Sequence, residues 1–118
     1  MVKKILVADD DPTLTRLLES YLMDHGYQVI TAADGDEALE KLEQERPDLV
    51  VLDVVMPKTN GYAFLFAMRR IDGAGKTPVI VLTCKPELAG IFKAEGVQEY
   101  LIKPFPQKEL LEKIRKYI

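Results

Sequence analysis

The chain has 118 residues, 47% of them hydrophobic and 30% charged, which suits one compact domain and excludes a disordered or collagen-like chain. Sixteen basic and nineteen acidic side chains leave a net charge of -3, so no bulk field draws the domain onto nucleic acid or anionic lipid. The single cysteine, Cys84, can close no internal disulfide and finds no partners for a zinc cage beside one histidine, and no stretch nears the ~20 apolar residues of a membrane span; the expected location is the reducing cytoplasm.

The chain alternates short apolar runs with helical periods. The first run, Ile5 to Ala8, ends in Asp9-Asp10-Asp11. Pro12 then suits a first helical turn, Leu14, Leu17, Leu18, Tyr21 and Leu22 follow i, i+3, i+4, i+7, i+8, and Gly26 marks the stop. The next strand contains Val29-Ile30. Asp34 with Glu37 resembles a capping box, opening a helix whose buried stripe is Ala38, Leu39 and Leu42. Leu49 to Leu52 is the third strand, closed by Asp53, and a third helix is predicted over Tyr62 to Arg70. Val79 to Leu82 runs into Thr83. A helix within Glu87 to Ala94 follows, weakened by Gly90 at a cost of about 1 kcal/mol relative to Ala. Tyr100 to Ile102 leads to Lys103, and a last helix spans Pro106 to Tyr117 with Leu110, Leu111, Ile114 and Ile118 inward. Three of the strands are apolar on consecutive residues, as central parallel strands covered on both faces must be. Five βα units predict an α/β fold, a doubly wound parallel sheet with helices on both faces.

In such a sheet ligands bind beyond the carboxyl ends of the strands, where the strand order reverses. Any one polar residue after a strand is ordinary loop chemistry. A set of carboxylates, a hydroxyl and an ammonium at successive strand ends is not. Converging carboxylates repel, and a divalent cation is the natural remedy. Oxygen-only ligation selects a hard ion, Mg²⁺ or Mn²⁺. An Asp carboxylate can attack phosphorus once cations screen the incoming oxygens. Asp53, alone at a central strand end, is the best nucleophile; Asp9 and Asp10 are better placed as metal ligands. Lys103 can pair with phosphoryl oxygens, and Thr83 can donate to one of them.

The segments ILVADDDP, VVLDVVMPKTNGYAFL, VIVLTC and YLIKPF resemble the strand-end signatures of response-regulator receiver domains of two-component signalling, and the resemblance spans essentially residues 1–118 as a single domain. It implies a flavodoxin-like sheet of order 2-1-3-4-5. It further implies that Asp10 ligates Mg²⁺ directly and Asp9 mainly through water. Asp53 becomes the phosphoryl acceptor and a ligand, and the backbone carbonyl of Val55 another ligand. Thr83 becomes the switch hydroxyl, Lys103 the phosphate-pairing lysine in a cis Lys103-Pro104 turn, and Tyr100 the aromatic that follows Thr83. The implied partner upstream is a sensor histidine kinase or phosphotransfer protein. Downstream, the surface of the fourth helix, fifth strand and fifth helix meets a protein target or an output domain, or forms a homodimer on phosphorylation. No direct contact with nucleic acid or membrane is expected.

The chain departs from the family pattern in three places. Cys84 stands where Ala or Ser is usual, a small substitution expected to be buried and tolerated. The 20 positions from Thr83 to Lys103 are fewer than usual, which shortens the segment holding the fourth helix. Val55 and Lys85 stand two residues after the acceptor and the switch hydroxyl, positions that in this family influence how water reaches the phosphoryl group, and the resemblance therefore implies slow self-dephosphorylation. Gly75-Lys76-Thr77 is no phosphate loop, because residue 70 is Arg and the segment precedes a strand. His25 beside Gly26 is a helix-end residue rather than a catalyst. Two alternatives remain: a haloacid-dehalogenase-like Mg²⁺-dependent phosphatase, which lacks its second acid because position 55 is Val, and a receiver-like scaffold that is never phosphorylated. The domain is expected not to be an enzyme beyond weak self-phosphorylation and self-dephosphorylation.

Overall fold

The structure, a computed structural model, describes residues 2–54, 61–71, 75–85, 87 and 96–118, apart from the side chain of Tyr62. Five strands, β1 (Lys4–Ala8), β2 (Gln28–Ala32), β3 (Leu49–Asp53), β4 (Val79–Thr83) and β5 (Glu99–Ile102), form one all-parallel sheet of order β2-β1-β3-β4-β5. That is the expected order. Its direction reverses between β1 and β3, which puts the crevice at the ends of those two strands. Every residue of β3 and β4 is buried, which explains their unbroken apolar runs.

Side-chain alternation sorts the strands between two cores. Leu6, Val50, Leu52 and Val81 pack under Ala38 and Leu42 of α2 (Gly35–Glu45) and Phe64 and Met68 of α3 (Gly61–Met68). Ile5, Val7, Val51, Ile80, Leu82 and Leu101 pack under Leu18 and Leu22 of α1 (Pro12–Asp24) and Leu110, Leu111 and Ile114 of α4 (Gln107–Arg115), the C-terminal helix. Helices therefore cover both faces. Among the described residues no helix is long and apolar enough to cross a membrane.

The caps lie close to where the sequence puts them. Asp11 caps α1, its Oδ1 accepting from the Thr13 and Leu14 N–H groups at 3.0 and 3.3 Å, with Pro12 opening the helix. Gly26, at φ +92°, supplies the left-handed residue that ends it. Asp34 Oδ1 accepts from the Glu37 N–H at 2.8 Å. Glu37 reaches back to the Ala33 N–H at 2.6 Å, one residue before the cap itself, so the capping box is displaced by one position.

Two sequence expectations need correction. Leu17, counted in the apolar stripe of α1, is 53% exposed. It stands five positions before buried Leu22, about 140° around the helix, so a stripe holding both is too wide to bury whole. Cys84 is exposed, not buried, because β4 ends at Thr83 and the next residue has left the sheet. The predicted fourth helix, Glu87 to Ala94, falls almost wholly outside the described residues, as does Val55.

The C-terminal helix is fastened through Glu99, at the start of β5. The Tyr117 hydroxyl donates to its Oε2 at 2.8 Å and Lys113 Nζ to its Oε1 at 3.2 Å, with Lys116 Nζ 3.8 Å away. The Tyr117 hydrogen bond, supported by the lysine charges, holds Glu99 below the usual carboxylate range against the opposing effect of burial. A carboxylate with a depressed folded pKa stabilises above its unfolded pKa and loses that contribution as pH falls through the folded value. Tyr117→Phe is therefore expected to lower stability at pH 7 by about 0.5–1.5 kcal/mol, and the deficit should shrink as pH drops below about 4.3. Urea titrations across pH 7 to 3.5 check this; a deficit independent of pH would refute it.

Candidate functional site

The polar strand ends meet at the rim beyond β1, β3, β4 and β5. Asp53 and Thr83 are the last residues of β3 and β4, while Asp9 and Lys103 follow β1 and β5 by one residue. Two backbone bonds carry the ladders past the strands: the Asp9 N–H donates to Ala32 O at 3.0 Å, and the Lys103 N–H to Thr83 O at 2.8 Å. Period-two alternation then gives Asp9, Asp53 and Lys103 the parity of Val7, Val51 and Leu101, one face of the sheet. Thr83 takes the parity of Val81, the other face.

That shared parity brings three charges together. Lys103 Nζ donates to Asp9 Oδ2 at 2.9 Å and lies 3.4 Å from Asp53 Oδ2. Asp9 is 1% exposed and Asp53 7%. Burial alone would depress the lysine's pKa, but the hydrogen bond to Asp9 and the two carboxylate charges outweigh it and hold the ammonium above its ordinary value. Asp9 Oδ1 also accepts from the Asp11 N–H at 3.0 Å, which fixes the carboxylate from its other side.

Exposed Asp10 completes the acidic group: carboxylate oxygens of Asp9, Asp10 and Asp53 lie within 4.8 Å of one another. Three carboxylates against one ammonium leave a net deficit of positive charge. The donors are all oxygen, with neither Cys nor His among them, and this fits a hard divalent cation.

Buried Thr83 is held in a turn, its Oγ1 accepting from the Lys85 N–H at 3.0 Å and donating weakly to Lys85 O at 3.4 Å. Tyr100 pairs with Val81 in the register, so it lies on the same sheet face as Thr83, one side-chain step back from the rim, and is 37% exposed. The Lys103-Pro104 bond is cis, as the resemblance implies. Among the described residues, hollows open beside the charges. One of about 240 Å³ is lined by Asp9, Asp10, Thr15, Thr31 and Glu37. Another, about 530 Å³ and mostly apolar, is lined by Leu14, Leu17, Cys84, Lys103 and Phe105.

The structure thus brings together Asp9, Asp10, Asp53 and Lys103, sets Thr83 at the neighbouring strand end and keeps Tyr100 behind it; Val55 lies outside the described residues. Sequence reasoning missed Asp11, which it grouped with the strand-end acids. An Asp directly before a helix-opening Pro is a cap signal that could have separated it. It also overlooked Arg69, whose guanidinium donates to the backbone carbonyls of Gly75, Thr77 and Gly96, partners that leave no residue pattern.

Comparison with known proteins agrees with this geometry. The family model for the response regulator receiver domain matches residues 5–115. A probable transcriptional regulator, ycf27, of Cyanophora paradoxa is 46% identical over 115 residues, which cover 96% of this chain and 47% of the relative. The chain spans about half the length of the curated relatives it matches. Among solved structures, the chemotaxis response regulator CheY4 of Vibrio cholerae aligns over 100% of both chains with a TM-score of 0.93 and 36% identity. The response regulator TrrA of Thermotoga maritima, solved in complex with Mg²⁺-BeF, aligns over 99% of this chain and 100% of its own, with a TM-score of 0.89 and 34% identity. None of these matches points to a haloacid-dehalogenase-like phosphatase. With an acidic, lysine-braced rim on a 2-1-3-4-5 parallel sheet and a family match over nearly its whole length, the chain belongs to the response regulator receiver domains, the phosphorylation switches of two-component signalling.

Proposed function

We propose that residues 1–118 act as a single cytoplasmic receiver unit in which Asp53 takes a phosphoryl group from the phosphohistidine of a sensor kinase or phosphotransfer protein. An Asp53 carboxylate oxygen attacks phosphorus, a P–O bond forms, and the P–N bond to the donor imidazole breaks with the electron pair leaving on nitrogen. Asp9, Asp10 and Asp53, with the backbone carbonyl of Val55, would hold Mg²⁺, which when bound supplies positive charge against the phosphoryl oxygens. Lys103 Nζ, already 3.4 Å from Asp53, stays beside the new phosphoryl group as a fixed cation. Thr83 gives up its turn with Lys85 to donate to a phosphoryl oxygen, and Tyr100 on the same sheet face follows. The surface made by β5, the C-terminal helix and the segment between β4 and β5 then gains or loses its partner. That partner is a protein target, an output domain or a second copy of the chain. Phosphorylation here biases a two-state element.

The observation that carries this reading is the ammonium of Lys103 set between two buried carboxylates, one of them at the end of a central strand. Mg²⁺ with beryllofluoride or acetyl phosphate tests it. The switch predicts a stoichiometric, stable adduct, lost in Asp53→Ala. Steady phosphate release would instead mark a phosphatase, and no adduct at all would mark a scaffold. Self-phosphorylation from acetyl phosphate is expected to be weak. Self-dephosphorylation is expected to be slow, with Val55 and Lys85 at the two flanking positions; an adduct half-life of only seconds in the isolated protein refutes that part.

A further inference from the structure

We propose that Arg69 is a positioning residue for the phosphoryl site, acting from the opposite end of the sheet by fixing the register of the strands that deliver Thr83 and Lys103. The proposal rests on the functional reading above and adds a residue to it. Arg69 follows α3 directly, and its N–H continues that helix by donating to Leu65 O. Its guanidinium donates to three backbone carbonyls in two separate loops: Gly75 O at 2.9 Å and Thr77 O at 3.4 Å, before β4, and Gly96 O at 3.2 Å, before β5. One rigid, planar cation thus spans the entries of both strands and ties them to the helix that follows β3, the strand carrying Asp53.

A second contact works at the same place. Gln98 Oε1 accepts from the Val79 N–H at 2.7 Å while the Gln98 N–H donates to Val79 O at 3.1 Å, so the first residue of β4 is held from both its polar groups. From there the ladder runs Ile80 to Glu99, Val81 to Tyr100, Leu82 to Leu101 and Thr83 to Ile102, and ends in the Lys103 N–H on Thr83 O. A slip of one residue anywhere along it would move Lys103 by about 3.3 Å relative to Thr83 and turn it to the other face. The carboxylates themselves stand at the ends of β1 and β3 and keep their places in such a slip, although Asp9 and Asp53 would lose the ammonium now 2.9 and 3.4 Å away. The phosphoryl-facing pair is exposed to it.

That division gives the test. Arg69→Met, Arg69→Lys and Gln98→Met are compared with the wild type by calorimetric Mg²⁺ titration, by beryllofluoride affinity at saturating Mg²⁺, and by amide hydrogen exchange at Lys103. Arg69→Met should bind Mg²⁺ at least as tightly as the wild type, because a displaced Lys103 repels the cation less, yet lose about tenfold in beryllofluoride affinity and exchange the Lys103 amide about tenfold faster, the equivalent of one modest hydrogen bond in alignment. Arg69→Lys, which keeps donors without the fork, should fall between. Gln98→Met removes one bond only and should show the same split at smaller size, which keeps the test open if Arg69→Met fails to fold. Unchanged beryllofluoride affinity with unchanged Lys103 exchange overturns the proposal. So does a parallel loss of Mg²⁺ and beryllofluoride binding, which would mean general loosening. Failure of the wild type to take beryllofluoride overturns the functional reading instead, and the Lys103 exchange rates, which need no ligand, still decide the claim about register.

Discussion

Replacing Lys103 with Met is expected to lower stability by about 3 kcal/mol in the absence of divalent cations, with much of the loss recovered in Mg²⁺. Removing one partner of a buried ion pair strands the other charge and typically costs about 3–5 kcal/mol. The low end applies because the Lys103 side chain is 25% exposed, so water screens part of its interaction. Asp9 makes the loss substantial: its side chain is fully buried, and the 2.9 Å contact with Lys103 compensates its charge together with the Asp11 N–H. Asp53, 3.4 Å from the same ammonium, loses its neighbour at the same time. Lys103 also repels any cation approaching the carboxylates, so the variant should bind Mg²⁺ more tightly than the wild type. Mass action then stabilises the variant more, by RT ln(1 + [Mg²⁺]/Kd). Urea unfolding of both proteins in chelator and in 10 mM Mg²⁺ measures the two differences. Equal stability in chelator would show that the ammonium is incidental to the carboxylates. In the proposed switch Lys103 is also the fixed cation for the phosphoryl oxygens, so its Met variant should bind beryllofluoride about a hundredfold less tightly even where Mg²⁺ has restored the fold.

How well the sequence foretold this site depends on whether the deciding contacts are periodic. The apolar runs ending in Asp53 and Thr83 are fully buried strands, and a fully buried strand carries its signal in every residue. Their places at successive strand ends then grouped Asp9, Asp53, Thr83 and Lys103 without any knowledge of loops. Leu17 misled because a helical stripe read from spacing has no depth: the pattern shows which residues share a side, and packing decides how wide a stripe the sheet can cover. Cys84 misled for the opposite reason. It followed five buried residues, and only the turn closed by Thr83 Oγ1 and the Lys85 N–H shows that the sheet has already ended. Arg69 and Gln98 were invisible because their partners are backbone groups, which every residue possesses, at sequence separations of up to 27.

Asp53→Asn should abolish phosphorylation and at the same time stabilise the metal-free domain, a pairing that ordinary structural damage does not produce. The amide oxygen is a far poorer nucleophile than the carboxylate, so adduct formation should fall by more than about a thousandfold, the scale expected when a reacting group is removed outright. The charge balance moves the other way. Asp9, Asp10 and Asp53 face Lys103 with a surplus of two negative charges, and the substitution halves that surplus within a cluster whose oxygens lie inside 4.8 Å. Relief of like-charge repulsion at a part-buried rim is worth about 1–2 kcal/mol. The Asn oxygen can face Lys103 Nζ in place of the carboxylate, so the ammonium keeps a neutral acceptor beside Asp9. Rising Mg²⁺ should reverse the order of stability. The wild type offers three carboxylates and gains more from binding, whereas the variant offers two. Thermal unfolding followed from chelator to 10 mM Mg²⁺ should therefore give two curves that cross, the Asn variant above at zero metal and below at saturation. Curves that stay parallel would mean that Asp53 neither feels its acidic neighbours nor shares a cation with them.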